Sequence, residues 1–252
     1  MKILLKLSFL GTNYCGYQVQ PNGVTVQQKL NEAAKDLFGY DCDIIGCSRT
    51  DSGVHANEFC VTVTKRKENH LPTTIPTKRI AAALSVRLPE DISVYSAEEV
   101  DDDFHPRYDV KYKEYVYKIW NRPYRDPFLA DRSWHCPKTI TAEGLENMKK
   151  AARLLIGKKD FASYMAADSK IKDTVRTVYD AEVTEENGMI TFRVSADGFL
   201  YNMVRIFVGT LLDVAYGKIS PEDIEQITLS RDRTKAGSTA APHGLFLNKV
   251  VY

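Results

Sequence analysis

The chain has no C-x-x-C pair. Its five cysteines (Cys15, Cys42, Cys47, Cys60 and Cys136) are odd in number and scattered. That argues against a zinc ribbon or a disulfide framework and suits a reducing, cytoplasmic compartment. No second histidine or cysteine stands at ligand spacing from His55, and no G-x-S-x-G or phosphate-cradling glycine loop is present. A metal site or a hydrolase triad is therefore not expected. There is no excess of one charge: 34 basic residues meet 33 acidic ones, for a net charge of +1. Nothing resembles an internal repeat. Met1-Lys2 and the short alternating stretch after it are too brief and too polar for a signal peptide. The longest apolar stretch, Phe199 to Tyr216, is interrupted by Asn202, Arg205 and Asp213. Charge inside a bilayer is costly, so a buried helix is expected there and no membrane partner.

What is present fits an ordinary globular protein. The 252 residues suffice for one large domain or two packed ones, with 44% hydrophobic and 27% charged residues. Leu5, Leu7 and Phe9 alternate with polar neighbours, as do Phe59, Val61 and Val63, then Tyr115, Tyr117 and Ile119, then Ile190, Phe192 and Val194. Period-2 alternation predicts strands. Thr25 and Gln28 form a capping box for a helix that Gly39 stops. Further helices are predicted over 78–87 and 141–156, and from Ser220-Pro221-Glu222-Asp223 onward. Leu245 and Leu247 suggest a last strand. This grammar, shared by two similar halves, predicts an α+β protein with antiparallel sheets. The boundary is placed where an acidic run meets an aromatic segment, giving domains 1–104 and 105–252.

The segment most suggestive of chemistry is Gly46-Cys47-Ser48-Arg49-Thr50-Asp51-Ser52-Gly53-Val54-His55-Ala56. It sets one carboxylate, Asp51, in a short glycine-bracketed loop between strand-like segments, with Arg49 two residues earlier. Such a carboxylate suits nucleophilic or general-base work. A turn in which Asp51 bonds nearby amides is the plainer alternative. Between Arg107 and Arg125, Arg107, Lys111, Lys113, Lys118, Arg122 and Arg125 interleave with Tyr108, Tyr112, Tyr115, Tyr117, Trp120 and Tyr124. Cations track phosphates and aromatic faces stack on unpaired bases, although an amphipathic strand with a solvated basic face has the same composition. Arg231, Arg233 and Lys235 make a second basic loop. Arg205, if buried, needs an anionic partner, and Asp213 and Asp51 are both candidates. His55 reads as packed or bonded to backbone, and His105 as structural or touching phosphate.

The loop sequence resembles the active-site segment of the TruA family of tRNA pseudouridine synthases, with Ser52 where the family usually has alanine. Other stretches match in the same order. Leu10-Gly11-Thr12-Asn13-Tyr14-Cys15-Gly16-Tyr17-Gln18-Val19-Gln20 is similar to D-G-x-x-Y-x-G-W-Q-x-Q, with Leu10 replacing an acid and Tyr17 a tryptophan. Asp103-Phe104-His105-Pro106-Arg107, Asp160-Phe161-Ala162-Ser163-Tyr164, Met203-Val204-Arg205 and Gly244-Leu245-Phe246-Leu247 resemble further family segments. Lys113-Glu114-Tyr115-Val116-Tyr117 falls where the family has its active-site tyrosine.

The resemblance implies the pseudouridine synthase fold, two halves joined into one extended sheet around a central cleft. It implies isomerisation of uridine to pseudouridine at positions 38, 39 and 40 of the tRNA anticodon stem-loop, by a homodimer. The reaction gains and loses no atoms, so no cofactor or metal is expected. Asp51 is then the catalytic residue. Arg205 pairs with it, Tyr115 stacks on the flipped uracil, and Arg49 helps replace the target base or contacts phosphate. A non-catalytic RNA-binding or chaperone module on the same fold is the alternative; Asp51 argues against it, because a pure binder gains nothing from a carboxylate facing phosphates.

Overall fold

The computed structural model describes residues 1–167, 169 and 171–252. In chain order the elements are β1 (Lys2–Phe9), α1 (Val26–Phe38), β2 (Cys42–Gly46), β3 (His55–Lys65), α2 (Thr77–Ser85), β4 (Ile92–Val100), β5 (Tyr112–Trp120), β6 (Trp134–His135), α3 (Ala142–Arg153), β7 (Gly157–Asp160), β8 (Val175–Glu186), β9 (Met189–Ala196), α4 (Met203–Ala215), α5 (Asp223–Ser230) and β10 (Leu245–Val251). This is a mixed α/β protein. The chain divides into two compact units, Met1–Lys111 with Phe246–Tyr252, and Tyr112–Leu245. The sequence placed a single cut at 104/105. The C-terminal end belongs with the first unit because Phe246 pairs with His55, and Lys111 bonds the Val251 carbonyl through its amide and Tyr252 through its ammonium.

In the first unit, β1 lies antiparallel between β3 and β4, with Leu5 opposite Val61 on one side and Ala97 on the other. The alternating residues Leu5, Leu7 and Phe9 are all buried. β2 pairs antiparallel with the far end of β3, and β10 pairs parallel with its start. Helix α1 buries Val26, Leu30, Ala33 and Ala34. The Thr25 hydroxyl accepts from the Gln28 amide at 3.2 Å, so half of the capping box forms. Gln28 sends its own side chain to Glu32 instead, at 2.9 Å. Gly39 ends the helix in the left-handed region, as expected.

In the second unit, β9 lies antiparallel between β5 and β8, and β7 extends β8. β6 joins β5 in parallel. Two short parallel pairings, β10 with β3 and β6 with β5, accompany the expected antiparallel ones. Tyr115, Tyr117 and Ile119 share the buried face of β5. Helices α3 and α4 pack together, and a Cβ at Gly144 would stand 2.3 Å from the Ala215 carbonyl oxygen. Phe161, Tyr164 and Phe207 form a ring cluster below them. α5 starts at Asp223, later than Ser220, because the Ser220 amide donates to the Asp223 carboxylate and the Asp223 amide to the Ser220 carbonyl. Among the described residues no helix is long and apolar enough to cross a membrane.

Candidate active site

Asp51 stands half-buried in the loop joining β2 to β3. A strap of irregular chain, residues 10–17, lies along this loop and holds it on both sides of Asp51. On the near side the Tyr17 amide donates to the Thr50 carbonyl at 3.3 Å. On the far side the Tyr14 carbonyl accepts from the Ser52 hydroxyl at 3.2 Å and the Gly53 amide at 3.4 Å. The approach is close enough to require glycine. A Cβ on Gly16, whose φ is +80°, would sit 2.4 Å from the Thr50 carbonyl oxygen. Inside the loop the Val54 amide donates to the Asp51 carbonyl at 3.2 Å, and Gly53 supplies the left-handed turn.

The strap has its own anchor. The Tyr14 phenol donates to one oxygen of Asp91 at 2.5 Å, and Asn13 donates to the other at 3.2 Å. Burial pushes the Tyr14 phenol up, and the Asp91 carboxylate raises it further, so this group donates and stays protonated. Asp91 carried no signal in the sequence, because nothing at its position marks it as the partner of a tyrosine so far away in the chain. At the other end of the strap, the Gly11 amide donates to Nδ1 of His55 at 2.9 Å, and the imidazole packs against Phe246 with ring centres 4.7 Å apart. His55 is thus fully buried and bonded to backbone, as the sequence reading expected.

Tyr17 forms the floor below the loop. Its ring stacks on Phe59 with centres 4.3 Å apart, and a Cβ on Gly46 would come within 2.5 Å of it. The Tyr17 phenol and the Thr50 hydroxyl are buried with no hydrogen-bond partner. Burial and the nearby Cys47 push the Tyr17 phenol up, while Arg107 acts in the opposite direction. The His105 ring stacks on Tyr108, and its Nδ1 accepts from the Arg107 amide at 3.1 Å. Arg49 is exposed.

Tyr115 and Arg205 belong to the second unit, Asp51 and Arg49 to the first. Tyr115 is 7% exposed, and its ring meets Phe199 edge-on with centres 5.0 Å apart. The helix carrying Arg205 starts later than the apolar stretch suggests. α4 begins at Met203 rather than near Phe199, which puts Arg205 in its first turn and leaves it half-buried. Its Nε donates to the Ala240 carbonyl at 2.8 Å and its Nη1 to the Asn202 side-chain oxygen at 2.7 Å. Asp213, the structural alternative as its partner, bonds Lys218 at 2.7 Å. The Tyr117 phenol, raised by burial and Cys136 against the opposing charge of Arg205, donates to the Ala241 carbonyl at 2.6 Å. Asn202 and the Ala240 carbonyl thus hold the arginine, and sequence reading named neither for that task. In the second basic loop, Arg231 pairs with Asp160 at 2.8 Å and Arg233 donates to the Ala236 and Gly237 carbonyls. These two arginines have structural partners.

A carboxylate held on a clamped loop can act as an acid, a base or a nucleophile. Residues 7–109 and 151–252 match the family described as tRNA pseudouridine synthase. The chain is 44% identical over 250 residues to tRNA pseudouridine synthase A of Thermoanaerobacter sp., covering 99% of each. It is 42% identical over 250 residues to tRNA pseudouridine synthase A of Clostridium acetobutylicum, again covering 99% of each. A protein of Clostridium perfringens named tRNA pseudouridine synthase A 2 is 44% identical over 252 residues, 99% of each chain. These matches span both compact units, and the chain belongs to the TruA family of tRNA pseudouridine synthases.

Proposed function

We propose that this protein isomerises uridine to pseudouridine in tRNA, at positions 38, 39 and 40 of the anticodon stem-loop. The observation that carries this reading is the clamped Asp51 loop within a chain that resembles the tRNA-modifying relatives from end to end. The reaction breaks the N1–C1′ bond, turns the uracil, and forms a C1′–C5 bond; the proton on C5 leaves and N1 regains one. The product is an isomer of the substrate, so the balance needs no oxidant, reductant or cofactor. A base within a stem must first leave the stack, at a cost of roughly a few kcal/mol.

Each residue has a task in this scheme. Asp51 acts on the sugar, as nucleophile or as base, because positive character develops at C1′ and a carboxylate is its natural partner. Arg205 holds Asp51 ionised, since a nearby cation favours the charged form. Tyr115 stacks on the extruded uracil and offers its phenol for proton removal at C5. Arg49, exposed beside the loop, contacts phosphate or fills the space the base vacates. The resemblance also supports a homodimer. The scattered thiols and a tRNA substrate suit the cytoplasm. The test is tritium release from tRNA carrying C5-tritiated uridine. Release that disappears when all three uridines are replaced supports the reading; release that persists moves the target elsewhere.

A further inference from the structure

We propose that the loop joining β5 to β6, residues 121–133, is an RNA-contact surface built from residues other than those of the Asp51 loop. It rests on the tRNA reading above only for the identity of the RNA. Three arginines (Arg122, Arg125 and Arg132) and two aromatic rings (Tyr124 and Phe128) fall within this loop, and all five side chains are exposed. Phe128 is 85% exposed and Tyr124 66%, which water alone does not favour for groups of that size.

The loop carries three arginines against two acids, a net charge of +1. Among the described residues none of the three arginines forms an ion pair, whereas Arg66, Arg87, Arg193 and Arg231 all do. Neither acid of the loop forms an ion pair among the described residues. Asp126 accepts from the Phe128 amide at 2.9 Å.

The loop is also ordered in advance. The Trp120 indole donates to the Tyr124 carbonyl at 3.0 Å, and His135 Nε2 lies 2.9 Å from the Arg122 carbonyl oxygen. The Leu129 carbonyl accepts from the Arg132 amide and the Ser133 hydroxyl, both at 3.0 Å. Arg122 lies against Gly188 so closely that a Cβ there would be 2.1 Å from its Nε. Pro123 and Pro127 restrict the backbone further. Ordering before binding removes part of the entropy that association otherwise loses.

Unpaired cations with open aromatic faces match a phosphate backbone and unstacked bases. A second copy of the chain fits less well. A two-fold contact through this patch would set a net positive loop against its own copy.

The test uses the whole protein and an unmodified tRNA transcript. Arg122→Ala, Arg125→Ala and Arg132→Ala are combined in one variant, and Phe128→Ser is made separately. We expect the triple variant to raise the tRNA Kd about tenfold or more near 0.1 M salt, and to flatten the slope of log Kd against log salt by about 2. Phe128→Ser should raise Kd with the slope unchanged, because stacking releases no counterions. Arg66→Ala, which removes a paired surface arginine in the first unit, should do neither. Unchanged affinity and slope in the triple variant overturn the proposal. So does loss of a dimer in either loop variant, which would assign the patch to a second copy. A wild-type protein that binds tRNA in this way but releases no tritium would sink the isomerase reading and leave this surface standing.

Discussion

The Tyr14 carbonyl accepts a hydrogen bond from the Ser52 hydroxyl at 3.2 Å, one residue after Asp51. Alanine, which the family usually carries at this position, cannot make that bond. The loop of this chain therefore has a tie additional to the Gly53 amide on the same acceptor.

Two substitutions separate the strap's hydrogen bonds from its shape. Ser52→Ala removes an exposed hydroxyl and should cost about 0.5–1 kcal/mol, with faster amide exchange confined to the loop. Gly16→Ala forces a Cβ into the Thr50 carbonyl at a φ of +80° and should cost at least about 1–3 kcal/mol. Urea denaturation of the two variants checks the order; equal midpoints would mean that the close approach is not required.

Tyr17→Phe deletes a buried phenol that has no partner. The change removes a desolvated polar group and keeps the ring on Phe59. Stability should be unchanged or higher by up to about 1 kcal/mol. A loss of 2 kcal/mol or more in denaturant titration would show that the phenol is satisfied in solution.

Burial pushes the thiols of Cys42 and Cys136 up to about 11 and that of Cys60 to about 12. These groups stay protonated through the physiological range, and the thiolate is the nucleophile. Iodoacetamide at pH 8 should therefore label the half-buried Cys15 first in the native protein. Mass spectrometry of short labelling times reads the order, and early modification of Cys42, Cys60 or Cys136 would contradict the packing described here.

Tyr115→Phe preserves the edge-on contact with Phe199 and removes only the phenol. If the phenol assists proton removal at C5, single-turnover rates should fall about 10²-fold or more, while tRNA affinity holds. An unchanged rate would leave Tyr115 as a stacking surface alone.

Much of this framework was legible in the sequence, because its signals are local. Alternation marked β1, β3, β5 and β9, and Thr25 and Gly39 marked both ends of α1. The Asp51 loop was visible because its glycines and its two flanking strands are contiguous in the chain. What was hidden depends on distant partners. Asp91 anchors Tyr14 across 77 positions, and Tyr117 reaches Ala241 across 124. The start of α4 was misjudged because Phe199, Leu200 and Tyr201 continue the apolar run of the helix; the left-handed Asn202, not hydrophobicity, sets the boundary. The parallel pairing of β10 with β3 links the C-terminus to the loop's outgoing strand, and no periodicity encodes it.

The central claim is that Asp51 carries the chemistry. The direct measurement is tritium release from C5-labelled tRNA by Asp51→Asn beside the wild type, with tRNA affinity measured for both. The variant should bind tRNA about as well as the wild type and release no tritium above background, whereas turnover within about tenfold of the wild type would contradict the account.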